Sequence, residues 1–67
     1  MCDIQKVSNI KDGETIEVTH IEVGVLTLTA DINKNDGSLC VVIKNAKGNY
    51  IGYMKPATFL SIYGHGL

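Results

Sequence analysis

Apolar and polar residues alternate along most of this chain, and the alternation reads as strands. Between Thr15 and Val18, Ile16 and Val18 share one face while Thr15 and Glu17 share the other. The pattern resumes from Val25 to Ile32, where Leu26, Leu28, Ala30 and Ile32 face one way and Thr27, Thr29 and Asp31 the other. Gly24 interrupts the two runs and marks a bend or bulge. Leu39 to Lys44 is apolar on both faces at its centre, which predicts a strand inside a sheet or at a seam. Tyr50 to Met54 is a further strand, with a tight bend or close contact expected at Gly52, and Ile4 to Val7 is a short first one.

Polar connections separate these runs. Lys11-Asp12-Gly13-Glu14 is a turn, and Asn33 to Ser38 carries the Asp36-Gly37 turn signal. Asn45 to Asn49 is a second hairpin loop. Pro56 ends the ladder. Pro56 to Tyr63 reads either as a helix opened by Pro56 and ended by Gly64, or as a helical turn followed by extended chain. The second reading is preferred, with Gly64 to Leu67 as a mobile tail. The expected fold is one all-β domain over residues 1–67: a five-stranded meander or barrel with a short helical turn near its end.

Composition narrows what such a domain can do. Of 67 residues, 45% are hydrophobic and 19% charged, which is globular rather than disordered. A domain this small buries only about 60% of its unfolded surface, so a deep substrate cavity is not expected. No apolar run is long enough to span a bilayer, and no secretory leader is visible, so a reducing cytoplasm is the expected compartment. Cys40, inside Leu39–Ile43, is expected to be a buried small hydrophobe. The near-neutral total of −1 hides a split: residues 1–33 carry Asp3, Asp12, Glu14, Glu17, Glu22 and Asp31 against Lys6 and Lys11, and residues 34–67 carry Lys34, Lys44, Lys47 and Lys55 against Asp36. All positive side chains are lysines. Without Arg, and at pI ≈ 6.0, sequence-specific nucleic-acid binding is disfavoured.

Catalytic chemistry finds little to stand on. His20 and His65 are the only imidazole bases, and neither accompanies a recognisable nucleophile motif, so no enzyme is expected. Cys2, His20, Cys40 and His65 have zinc-ligand chemistry but no close pair to seed a site, so no metal is expected. Gly48 and Gly52 do not form a phosphate loop opening a helix, and Asp12 and Glu14 flank a turn as solvated acids do. No cofactor is expected.

Two stretches resemble the Src-homology-three-like small barrels, nearest to the bacterial type. Lys11-Asp12-Gly13-Glu14 leading into Thr15–Val18 is similar to the family's turn and alternating strand. Val41-Val42-Ile43-Lys44, Gly48, Gly52-Tyr53-Met54, Pro56 and Phe59-Leu60 are similar to its later strands, helical turn and closing pair. The family's frequent Trp is missing. The resemblance implies non-catalytic recognition of peptide or cell-wall material through an aromatic-lined groove. Tyr50, Tyr53, Phe59 and Tyr63, all the aromatics of the chain, would line it, rimmed by Lys44, Lys47 and Lys55. The same rings also read as half the core. The functional expectation is a protein-binding inhibitor or adaptor, and the size and Lys/Asn/Ile-rich composition fit a phage-encoded antagonist of a host enzyme. Single-stranded nucleic-acid binding and a structural homo-oligomer are the alternatives.

Overall fold

A computed structural model describes residues 3–67. Its centre is a single antiparallel sheet of four strands in the order β1-β2-β3-β4, formed by Thr15–His20, Gly24–Ile32, Leu39–Asn45 and Tyr50–Met54. Each strand pairs with the next in sequence, as a meander requires. The registers Ile16↔Leu28, Leu28↔Ile43 and Val41↔Met54 bring the buried residues Val18, Leu26, Leu28, Ala30, Val41 and Ile43 to one face. β3, apolar on both faces, is an inner strand, as expected.

Two helices and a short 3₁₀ turn cover that apolar face. Helix α1 is Asp3–Ser8, helix α2 is Pro56–Tyr63, and the 3₁₀ turn is Gly64–Gly66. Val7, Ile10 and Phe59 descend onto Val18, Leu26, Leu28, Ala30, Val41 and Ile43, and together they form the core. The opposite face carries no covering layer among the described residues.

Four expectations are corrected. The segment Ile4–Val7 is not a strand but lies in α1. Ile4 is 37% exposed while Val7 and Ile10 are buried, so the segment buries residues three apart, a helical rather than a strand period. The fifth strand is therefore absent from the described residues. The sheet is open, with β1 and β4 as its edges, and no barrel closes. Beyond Pro56 the chain is helical through Tyr63, not a single turn followed by extended chain. Pro56 sits in the first turn, where its missing N–H costs nothing. The segment from Gly64 to Leu67 is not a free tail: Gly66 is buried and its carbonyl accepts the Ile21 N–H at 2.9 Å.

The two sheet edges end differently. On β1, the Thr19 N–H donates to the Asp3 carboxylate at 3.1 Å, so α1 reaches around and occupies part of that edge. On β4 the register shifts between Ile43↔Gly52 and Lys44↔Tyr50, leaving Ile51 as one extra residue.

Candidate functional site

The uncovered face of the sheet is built by the strand positions that alternate with the core. Pairing aligns Thr15, Thr29, Val42 and Tyr53 in one row across the strands. A second row holds Glu17, Thr27, Lys44 and Tyr50. Asp31 and Cys40 form the beginning of a third. The threonines tie the acidic side together, with Thr15 and Thr29 hydroxyls 3.1 Å apart. The β3–β4 side is aromatic and basic.

Tyr50 and Tyr53 are 65% and 41% exposed, the two largest side chains left in solvent on this face. Lys44 is exposed beside Tyr50, Lys47 lies in the β3–β4 loop, and Lys55 follows β4 directly. Tyr53 leans over Cys40, which is buried and free. Partial desolvation there pushes the Tyr53 phenol above its ordinary range, and the Cys40 thiol, Asp31 and Asp36 act in the same direction. Asp36 is held the other way. The Ser38 hydroxyl and Ser38 N–H donate to its Oδ1 at 2.7 and 2.9 Å, and Lys55 adds a favourable charge, so its carboxyl lies below the usual value.

The expected aromatic cluster is divided by the sheet. Phe59 is fully buried in the core, so it cannot line a surface groove. Tyr63 is half-buried on the same side, stacked on Phe59 with centroids 4.9 Å apart. Tyr50 and Tyr53, with Lys44, remain together on the open face. Two rings of the four are thus core and two are display. The physical reason is the change of element at Pro56: helical residues Phe59 and Tyr63 lie one turn apart and turn inward together, whereas the strand positions of Tyr50 and Tyr53 face outward.

His20 and Cys40 lie on opposite faces of the sheet, so they do not converge on a common ion. Cys2 falls outside the described residues. Among the described residues no cluster of His, Cys, Asp or Glu has metal-site geometry, no pocket opens in the surface, and no helix is long and apolar enough to cross a membrane.

His20 is the residue sequence reasoning undervalued. It reads as a strand-end imidazole, yet it is only 9% exposed. Its Nδ1 accepts the Glu22 and Val23 N–H groups at 3.0 and 3.2 Å. Tyr63 stands perpendicular to it at 5.7 Å. The alternation that placed Ile16 and Val18 inward extends to His20, and that was the available signal.

Comparison with family models, with curated proteins and with solved structures gave no match.

Proposed function

We propose that this chain is a non-enzymatic protein-binding module, an inhibitor or adaptor, that works through the open face of its sheet. The carrying observation is that Tyr50 and Tyr53 stand in solvent on the uncovered face while the other two aromatics are taken by the core. In a domain with so little apolar material, two large rings left outside the core are best used as contact anchors. Tyrosine is well suited to this: it brings a large rigid surface with few rotors to fix, and such rings dominate binding hot spots. Val42 supplies an apolar floor beside Tyr53, and Lys44, Lys47 and Lys55 supply a polar rim. The likeness of Lys11–Val18 and Val41–Leu60 to bacterial Src-homology-three-like modules points to the same kind of recognition, and a phage-type antagonist acting in the cytoplasm belongs to this reading.

The test is affinity capture of the tagged chain from its native lysate with nuclease present, followed by titration of the captured protein. Tyr50→Ala and Tyr53→Ala are each expected to weaken binding by about tenfold or more, equivalent to about 1.4 kcal/mol, while circular dichroism stays unchanged. Unchanged affinity in both folded variants sinks the assignment.

A second reading rests on the same rings. Tyrosines on an open sheet flanked by lysines form a stacking platform for single-stranded nucleic acid. Glu17 and Asp31 on that face oppose a phosphate backbone. Retention of an oligothymidylate that weakens steeply with salt would favour this reading, and loss of all captured material on nuclease treatment would agree. Light scattering at several concentrations tests the third, a homo-oligomer.

A further inference from the structure

The hairpin tip Ile21–Val23 and the segment Gly64–Leu67 meet at one side chain, His20. An imidazole nitrogen that accepts N–H bonds carries no proton. Nδ1 accepts two, from Glu22 and Val23, so the ring hydrogen belongs on Nε2 and the ring is neutral. The other side of the ring is filled by Gly66. A Cβ placed on Gly66 would come within 2.2 Å of His20 Nε2, 2.5 Å of Cε1 and 2.6 Å of Cδ2. The glycine backbone therefore lies flat against the imidazole. Tyr63 closes a further side, perpendicular at 5.7 Å. The Ile21 N–H donates to the Gly66 carbonyl, which joins tip and segment directly. Every N–H of the tip residues Ile21, Glu22 and Val23 is thus spent on this one junction.

We propose that His20 is a proton-operated latch: neutral, it fastens the hairpin tip to the Gly64–Leu67 segment, and a proton taken from solvent at Nδ1 releases both. The imidazolium carries hydrogens on both nitrogens. Nδ1–H then confronts the Glu22 and Val23 N–H groups, donor against donors, and two bonds are lost at once. The ring has no room to turn away, because Gly66 and Tyr63 occupy its flanks. The tip and the 3₁₀ turn must therefore move. Releasing the turn uncovers Tyr63, which is stacked on Phe59.

The titratable groups on the surrounding elements are few. Glu22 belongs to the tip itself, Tyr63 is the α2 neighbour, and His65 lies exposed between Gly64 and Gly66. Asp3 of α1 is engaged with the Thr19 N–H and with Lys6. Among the described residues none of these groups accepts a hydrogen bond from His20.

The test uses the full chain and backbone amide spectra between about pH 8 and about pH 5, the interval in which imidazoles change charge. The imidazole carbons of His20 and the amides of Ile21, Glu22, Val23 and Gly66 are followed together. They are expected to shift in one transition, with the protection of the Glu22 and Val23 amides, corrected for the pH dependence of intrinsic exchange, falling about tenfold while that of Leu28 and Ile43 is kept. His65→Asn should keep the transition. His20→Asn, whose amide oxygen offers an acceptor in place of Nδ1 but takes no proton, should abolish it. Three results would overturn the latch: His20 titrating without movement of the tip amides, the same movement in His20→Asn, or loss of Leu28 and Ile43 protection in the same step. If His20→Asn does not fold, the wild-type coincidence of ring and tip signals still decides.

Discussion

Gly66 and Phe59 show how little slack single residues have here. Adding one methyl at Gly66 drives it into the His20 ring, which is itself enclosed. Gly66→Ala is expected to cost about 1–3 kcal/mol, the range for overpacking a filled site, read as a lower urea midpoint with an unchanged slope. Phe59 is the largest fully buried side chain. Removing it costs about 3–5 kcal/mol in typical cores, comparable with the whole stability of a domain this short. Phe59→Ala should therefore lose cooperative unfolding, while Phe59→Leu should keep it. Asp36 offers a test of charge. Its carboxyl is held below its ordinary value by Ser38, so this contribution is present at neutral pH and is lost as pH falls through the native value. In Ser38→Ala the Asp36 titration, followed by carboxyl carbon shifts, should move up toward the ordinary carboxylate range. The His20–Gly66 contact and the Asp36–Ser38 bond differ in how far the sequence shows them. Asp36 and Ser38 are near neighbours in a turn and were readable as one. His20 and Gly66 are far apart in the chain, and no local pattern joins them.

At the level of elements, the strands were the legible part. Alternation in Thr15–Val18 and Val25–Ala30 matches which residues face inward, because a strand repeats every two residues and burial follows the repeat, but Ile32, read as inward, is 38% exposed at the strand end. The doubly apolar Leu39–Ile43 correctly marked an inner strand. The helices were harder. Six residues, Asp3–Ser8, span less than two turns, and over so short a run a helical and a strand period cannot be separated by apolar spacing alone. What stabilises α1 is tertiary: Val7 and Ile10 in the core and Asp3 on the β1 edge. The Asp3–Lys6 pair is long at 3.7 Å, with Lys6 exposed and Asp3 half-buried, and adds little. Asp3→Ala should accordingly lower stability by about 0.5–1.5 kcal/mol through the lost Thr19 bond, whereas Lys6→Ala should be near neutral, both measured by urea unfolding. The α2 boundary was readable from Pro56. Its full length was not, since inward packing of Phe59 and Tyr63 on the sheet is what sustains the second turn.

On the scale of the molecule, the decisive fact is that only one face of the sheet is covered. Charge bookkeeping separated an acidic first half from a basic second half, and the meander turns that into geometry: β1 and β2 bring Glu17 and Asp31 to one side of the open face, β3 and β4 bring Lys44 and the tyrosines to the other. The sequence placed all four aromatics in one window but could not show that a sheet would run between them. That division requires knowing that the chain switches from strand to helix within the window. The candidate surface is consequently smaller than the expected one, and more specific.

The two edges of this sheet bear on polymerisation. An antiparallel sheet with bare edges can add strands from other molecules without limit. Here growth is interrupted on one side by a carboxylate sent over from α1 and on the other by the extra residue Ile51 in the ladder. The first guard is borrowed from a different element, so it fails whenever α1 detaches, even if the sheet itself stays folded. Partial unfolding at the start of the chain would then bare β1 to added copies and, in the same event, withdraw Val7 from the core.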